Sequence, residues 1–288
     1  MQGSQTTQGF LRHITACHSA ILPGGRVAFR IGPDPEQAEP VGWLLPAIAT
    51  EMAPFPGIVI GPDGVTLTDL PALLAINREL SARGWMRWRD ELFDVRAQPD
   101  GAVLARIDRG ALPVLGIAAE GVHVNGLVGD PAKPETLRIW VARRAANKAL
   151  DPNKLDHIVA GGIPAGLGPL ETLVKEAMEE ATIPADLAAK AHRVAILHYA
   201  MERPEGLRRD RLHCFDLFLP EAFTPHPTDG EVAGFELWPL MQAFQAVRDT
   251  DAFKFNVNLV LIDLFLRLGL IVGPEAAELR AAMLAGPA

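Results

Sequence analysis

Apolar and acidic positions alternate at helical spacing between residues 170 and 181. Glu176, Glu179 and Glu180 occupy positions i, i+3 and i+4, which share one face of an α-helix. Pro169 stands just before this pattern, where proline is well suited to begin a helix. The pattern predicts an amphipathic helix with an acidic face and a separate apolar stripe, which consists of Leu170, Leu173, Val174, Ala177, Met178 and Ala181.

A short apolar run precedes this helix and ends in the pair Gly161-Gly162. It predicts a buried strand, so that the order is strand, glycine loop and acidic helix. Like charges three and four residues apart repel by roughly 0.2–0.5 kcal/mol per pair, which a bound cation would offset. Carboxylate oxygens suit Mg²⁺ or Mn²⁺, and glycine lets a backbone carbonyl approach such an ion. The alternative is a solvated acidic surface, as on most Glu-rich helices.

The remaining pattern divides the chain into two α/β parts, residues 1–118 and residues 119–288. The first part contains a predicted helix at 70–84 and strands at 91–96 and 103–108, and no motif there carries chemistry by itself. The second part is predicted to place a sheet between helices. Its strands are expected at 136–143, 192–201, 212–219 and 230–238, and its later helices at 240–247, 255–268 and 275–284.

Composition limits the partners. The chain has 288 residues, a net charge of −8 and no basic run, which argues against binding a nucleic acid polymer. Cys17 and Cys214 are far apart in sequence and are expected to be free thiols in a reducing cytoplasm. The apolar stretch 257–272 contains Asp263 and Arg267 and is too short to span a bilayer, so it predicts a buried helix and no membrane partner. A homodimer is left open.

The acidic helix and the glycines before it resemble the Nudix box, G-x5-E-x7-R-E-U-x-E-E-x-G-U, in which U is aliphatic. Gly161 takes the first position, and Glu176, Glu179 and Glu180 match the three acids. Lys175 replaces the arginine. The resemblance implies a Nudix α/β/α sandwich with a mixed sheet, preceded here by a smaller α/β domain, and a hydrolase that cleaves a small-molecule diphosphate with Mg²⁺ or Mn²⁺.

Two positions depart from that motif. Leu167 occupies the place of the outer glutamate, and Thr182 occupies the place of the late glycine. Glu171, four residues after Leu167, is a candidate to face the same site from the first helical turn. The chain therefore keeps the three acids and lacks one peripheral carboxylate.

Segments on both sides of the box are similar to one branch of the superfamily, in which a domain of the DUF4743 type precedes the Nudix domain. That branch includes plant chloroplast Nudix enzymes and the Nudix part of fungal thiamin pyrophosphokinase fusions. It is associated with hydrolysis of oxidised or damaged thiamin diphosphate to the monophosphate. The similar segments are 121–126, 140–144, 152–156, 160–162, 175–181, 229–232 and 253–256.

Glu176 and Glu180 lie on adjacent helical turns and are the expected metal ligands, with Glu179 as a third ligand or a support. A backbone carbonyl of Gly161 is expected to complete the site. Lys175 is expected to orient the carboxylates, as a weaker substitute for the bidentate fork of arginine. A divalent ion cancels diphosphate charge and lowers the pKa of bound water.

Glu231 is the candidate base that activates water, because its Asp-Gly-Glu-Val turn matches where Nudix enzymes often supply a further carboxylate. The alternative is an exposed acid at the entry of a strand.

The candidate substrate contacts come from three segments. Arg144 follows a strand and is expected to bind phosphate, unless it merely pairs with a surface acid. Lys154 and Asp156 lie just before the glycine pair and fit the pattern of the branch. His123 and Asn125 are expected at the seam between the two domains, although a structural, hydrogen-bonded histidine is the alternative for His123.

Two other functions remain open. One is a Nudix hydrolase that acts on another nucleoside diphosphate derivative. The other is a non-catalytic Nudix module that binds a ligand, which the intact set of acids disfavours.

Overall fold

The computed structural model describes residues 2–228 and 230–286, so Asp229 of the predicted turn lies outside the described residues. The described α-helices are α1 (Gln2–Cys17), α2 (Pro46–Met52), α3 (Ala72–Ala82), α4 (Leu112–Leu115), α5 (Pro169–Ala181), α6 (Ala185–Ala188), α7 (Leu240–Asp249), α8 (Phe255–Arg267) and α9 (Gly273–Leu284). The described strands are β1 (Val27–Ile31), β2 (Pro40–Leu44), β3 (Ile58–Gly61), β4 (Gly64–Leu67), β5 (Leu92–Val95), β6 (Ala105–Asp108), β7 (Ala118–Val128), β8 (Arg138–Arg144), β9 (Leu155–His157), β10 (Val159–Gly162), β11 (His192–Arg203), β12 (Gly206–Phe218) and β13 (Val232–Pro239).

A seven-stranded sheet forms the frame of the second part. Its main path is β11-β12-β7-β8-β13, with β10 added to β7 and β9 added to β8. Strand β12 runs parallel to β7, whereas β8 and β10 run antiparallel to it, so the sheet is mixed. The predicted fold class, a mixed sheet between helices, is confirmed.

Helix α5 covers one face of this sheet. Val122 and Val124 of β7 are fully buried against Leu173 and Ala177 of α5. Alternate residues of a strand point to opposite faces, which is why these two valines share a side. The apolar stripe of α5 thus anchors the helix and leaves its acidic residues beside the sheet edge.

Helices α1, α7 and α8 cover the opposite face. Leu127 of β7 packs there with Phe244 of α7 and Phe265 of α8. Most of α8 is buried, as predicted for the apolar stretch. No helix in the described part of the chain is long and apolar enough to cross a membrane.

Helix α1 was not predicted. Phe10, Ile14 and Cys17 project from it into the core shared with α7 and α8, and all three are almost fully buried. The predicted division after residue 118 stays a prediction, and the contacts show that the first helix packs with the second part of the chain.

The first part forms two smaller sheets. Strands pair in the order β2-β1-β4-β3, and β5 pairs with β6 as a separate hairpin. Helix α3 contributes Leu73, Ile76 and Leu80 to a core that also contains Phe29 and Phe93. The predicted helix at 70–84 and the two predicted strands are confirmed, with ends shifted by at most two residues.

The β5–β6 hairpin holds the loop between β10 and α5. Ala165 N–H donates to the carbonyl of Leu92 at 2.7 Å, and Gly166 N–H donates to Asp94 Oδ2 at 3.1 Å. Phe93 packs so closely on Gly162 that a Cβ there would lie 2.5 Å from its ring. The first part therefore supports the glycine segment that precedes the acidic helix.

Candidate active site

The acidic helix and the glycine strand are in direct contact. A Cβ on Gly161 would lie 2.7 Å from Cδ of Glu176, a distance that real Cβ contacts do not reach. Glycine at this position leaves space for the carboxylate of Glu176 where it now lies against β10. Glu180, one turn later, is 7% exposed and accepts a hydrogen bond from Ala160 N–H at 2.9 Å. Two of the predicted metal ligands are therefore fixed beside Gly161.

Burial shapes the charge of this face. It raises the pKa of Glu176 above the usual range, and Lys175 opposes that shift only in part. Lys175 Nζ lies 3.3 Å from Glu176 Oε1 and 2.6 Å from Glu179 Oε2. The hydrogen bond to Glu179, more than any other contact, raises the pKa of Lys175. Lys175 thus bridges two of the acids, in the geometry expected for an orienting residue.

Glu171 caps the first turn of α5. Its Oε2 accepts a hydrogen bond from Gly168 N–H at 2.8 Å, which satisfies a donor at the helix start. The side chain of Glu171 is exposed, and Leu167 lies just before this first turn of the helix. In this conformation Glu171 serves the helix end.

A small pocket opens next to Glu180. It is lined by Ala142, Arg144, Lys148, Asp156, His157, Ala160, Glu180, Glu231 and Val232. Four of the predicted site residues, Arg144, Asp156, Glu180 and Glu231, thus meet around one cavity although they come from four segments.

Arg144 and Asp156 form a buried ion pair in this pocket. Arg144 Nη1 donates to Asp156 Oδ2 at 2.8 Å, and Lys254 Nζ lies 3.8 Å from the same oxygen. Burial by itself raises the pKa of Asp156, but Lys254 and its other neighbours outweigh it and bring the value to about 2. Arg144 also donates to the carbonyls of Leu150 and Asp151. Its guanidinium therefore holds the pocket floor and the adjacent loop.

Glu231 lies at the pocket rim in an ion pair with Lys148. Burial raises the pKa of Glu231, but the hydrogen bond and charge of Lys148 prevail and lower it. The carboxylate is thus ionised near neutral pH, as a proton acceptor must be. Whether it acts as the base stays a prediction.

Three other candidates lie away from the pocket lining. Lys154 donates to the carbonyl of Asp251, on the segment between α7 and α8. Asn125 is fully buried under α8 and donates to Asp216 Oδ1 at 2.8 Å. His123 is buried beside His157, with 3.0 Å between their Nδ1 atoms. Both residues face the α8 side of the sheet, to which the odd-numbered residues of β7 point. Their expected location at a seam between domains stays a prediction, as does the domain boundary.

Residues 122–258 match the NUDIX domain family. This segment is similar to Nudix domains. It contains the acidic helix, the glycine strand and every residue that lines the pocket. The match supports the prediction of a Nudix domain in the second part of the chain.

Two curated relatives come from Arabidopsis thaliana. Nudix hydrolase 24, chloroplastic, is 40% identical over 183 residues, which cover 64% of this chain and 49% of the relative. Nudix hydrolase 20, chloroplastic, is 39% identical over 189 residues, which cover 66% and 50%. The chain spans about half the length of the curated relatives it matches. The crystal structure of DR0079 from Deinococcus radiodurans matches 59% of this chain and 97% of its own, with 20% identity and a TM-score of 0.46.

The donor set of the Nudix domain fits a hard divalent cation. Glu176 and Glu180 offer carboxylate oxygens on one side of β10, and the raised pKa of Glu176 reflects a half-buried negative charge that Lys175 does not fully compensate. Mg²⁺ and Mn²⁺ prefer such oxygen ligands. A cation at this face would supply the missing compensation.

Sequence reasoning missed Lys148 and His157. Lys148 lies in the loop after β8 and reaches Glu231 across 83 positions of sequence, which no local pattern predicts. His157 follows Asp156 directly in the segment leading to Gly161. Because His157 is adjacent in sequence to Asp156, a predicted substrate contact, the sequence could have suggested it as a site residue.

Proposed function

We propose that the Nudix domain is a diphosphate hydrolase that depends on Mg²⁺ or Mn²⁺. The observation that carries the proposal is the meeting of Glu180 and Glu231 with Arg144 and Lys148 in one pocket beside the acidic helix. Carboxylates suit a cation, and arginine and lysine suit the phosphate oxygens that bind it.

Glu176, Glu179, Glu180 and Gly161 are the proposed metal site. When bound there, the cation supplies charge neutralisation and a more acidic water. Lys175 keeps Glu176 and Glu179 together on the helix face. The chain thereby orients its acids before substrate arrives.

Glu231 is proposed to take the proton of the attacking water. Lys148 lowers the pKa of this carboxylate. The carboxylate is therefore ionised at neutral pH and can accept a proton, although its lower pKa makes it a weaker base. Water adds to one phosphorus, the bridging oxygen leaves with a proton, and two monophosphate products form. For thiamin diphosphate derivatives these are the monophosphate and orthophosphate.

Oxidised or damaged thiamin diphosphate is the proposed substrate. The proposal rests on the similar segments on both sides of the box, such as 121–126 and 152–156. Another nucleoside diphosphate derivative is the alternative substrate class. A cytoplasmic location, a homodimer and the boundary at residue 118 remain predictions.

A substrate panel tests this proposal. Thiamin diphosphate, its oxidised forms, nucleotide sugars and dinucleotides would be incubated with Mg²⁺ or Mn²⁺, with and without EDTA, while phosphate release is measured. We expect metal-dependent cleavage of an oxidised thiamin diphosphate. Turnover of nucleotide sugars alone would favour the alternative, and hydrolysis that survives EDTA would exclude the metal site. No turnover of any diphosphate, with metal still bound, would favour a non-catalytic module.

A further inference from the structure

A line of buried polar side chains leads from α8 to the pocket. Asn256 Nδ2 lies 3.4 Å from His123 Nε2, and His123 Nδ1 lies 3.0 Å from His157 Nδ1. All three residues are at most 4% exposed. His157 lines the pocket and His123 does not. The histidine beside the pocket is thus connected to a fixed amide behind it.

The orientation of the Asn256 amide determines where each proton of the two histidines lies. Burial, more than any other cause, lowers the pKa of His157 to about 4 and that of His123 well below its usual range, so both rings are neutral. A neutral imidazole has one N–H and one acceptor nitrogen, and an amide nitrogen can only donate. The structure places the amide nitrogen of Asn256, and not its oxygen, against His123 Nε2, so in this orientation Asn256 donates to His123 Nε2 and His123 Nδ1–H donates to His157 Nδ1.

The remaining proton of His157 is consequently on Nε2. This nitrogen is buried and has no hydrogen-bond partner among the residues that the structure describes. Buried donors are almost always paired, because an unmade hydrogen bond is costly. A donor left open beside a pocket points to a ligand oxygen as its partner.

We propose that His157 Nε2–H donates a hydrogen bond to a phosphate oxygen of the bound substrate, and that Asn256 and His123 fix the tautomer that makes this possible. The inference rests on the proposed function, since a diphosphate is the assigned occupant of the pocket. His157 is then a substrate-binding residue, and His123 and Asn256 are positioning residues.

A second metal centre is the competing interpretation. His123, Asp156 and His157 offer ligand atoms within 4.8 Å of one another. However, Asp156 is already paired with Arg144 at 2.8 Å and faces Lys254 at 3.8 Å. A buried divalent ion would add two positive charges beside two existing cations and one carboxylate, which a low-dielectric interior opposes. The same cations favour a phosphate.

Two substitutions of His157 distinguish the loss of the Nε2–H donor from the loss of the rest of the imidazole ring. The amide nitrogen of glutamine can reach the position of Nε2, whereas that of asparagine lies nearer to Nδ1. We expect His157→Asn to lower kcat/KM by about 10- to 100-fold, as for a lost hydrogen bond to a charged group, and His157→Gln to cost only a few-fold. His192→Asn, on an exposed strand end, is the matched control and should leave activity unchanged. Equal losses in both His157 variants would overturn the proposal, as would no loss in either.

Nitrogen-15 NMR of the unsubstituted protein provides a test that does not need turnover. We expect the ring of His157 to carry its proton on Nε2 and this signal to shift when methylenediphosphonate is added with Mg²⁺. A proton on Nδ1, or a signal indifferent to the probe, would contradict the inference. A shift without hydrolysis of any diphosphate would instead overturn the proposed function and leave the donor in place. Diphosphate hydrolysis without any shift of the His157 signal would overturn the role of His157 and leave the proposed function in place.

Discussion

The acidic face of α5 and the pocket that Glu180 also lines differ in the sign of their charge imbalance. On the acidic face of α5, Glu176 and Glu179 share the ammonium of Lys175. Burial raises the pKa of Glu176, which means that negative charge is under-compensated there. This region is suited to gain a cation.

The pocket floor, by which we mean Arg144 and Asp156 together with Lys254 behind them, has the opposite balance. Asp156 is paired with Arg144 and also faces Lys254, so one carboxylate meets two cations. Its pKa of about 2 reflects that surplus of positive charge. This region is suited to gain an anion. Side by side, the two regions have the charges that a metal-bound diphosphate would neutralise.

The pocket floor is expected to show the largest effect on folding. Asp156→Asn would leave Arg144 and Lys254 buried without a counter-charge, which should lower the free energy of unfolding by about 3–5 kcal/mol in urea titrations at pH 7. The difference in unfolding free energy between the native protein and Asp156→Asn should shrink as the pH falls from 3.8 toward about 2. Asp156 takes up a proton first in the unfolded state and then in the folded state, so the native protein loses the charge that the variant already lacks.

The exposed pair Arg138–Glu221 provides the control for that measurement. Glu221 is 68% exposed, so Glu221→Gln should cost about 0–1 kcal/mol. Equal costs at the two sites would show that the buried floor is not electrostatically special.

The acidic face should show the largest effect on turnover. Glu180→Gln keeps the shape of the side chain and removes its charge, so we expect a loss of about 10²- to 10³-fold in kcat with the fold retained. Glu171→Gln, at the helix start, should change kcat by less than about threefold, since its amide oxygen can still accept from Gly168. Native rates in Glu180→Gln would remove this residue from the metal site.

Glu231 should affect chemistry more than binding. Glu231→Gln is expected to lower kcat by about 10²-fold with little change in KM, as for the loss of a general base. Glu236→Gln, on the exposed side of β13, is the neighbouring control. A change confined to KM would demote Glu231 to substrate positioning.

The same contrast explains what the sequence could predict. The acidic face follows one helical period, so Glu176, Glu179 and Glu180 were recognisable within five residues of chain. The pocket floor unites β8, β9 and the start of α8, and Lys254 meets Asp156 only in the folded sheet. Helix α1 was missed because its packing partners are distant in sequence. Phe10 contacts Phe244 and Phe265, and Cys17 contacts the carbonyl of Phe255, all more than 200 residues later. The side of the sheet to which residues 123 and 125 point could not be predicted, because it depends on how β7 is packed in the sheet.

Lys148 offers a smaller and more specific test. It lowers the pKa of Glu231 against the effect of burial, so Lys148→Met should raise that pKa. A base works only when ionised, and the acid limb of the kcat/KM profile should therefore move to higher pH. Lys133→Met, on an exposed loop, should leave the limb in place. If the acid limb does not move in Lys148→Met, ionisation of Glu231 is not the cause of the acid limb.

Binding of Mn²⁺ is the most direct test of the cation site, and it needs no substrate. The electron paramagnetic resonance signal of free Mn²⁺ would be followed while the native protein, Glu180→Gln or Glu171→Gln is added. We expect the native protein and Glu171→Gln to remove the free signal with saturation, and Glu180→Gln to bind at least about tenfold more weakly. Equal binding by all three proteins, or no binding by the native one, would contradict the assignment of the acidic face as the metal site.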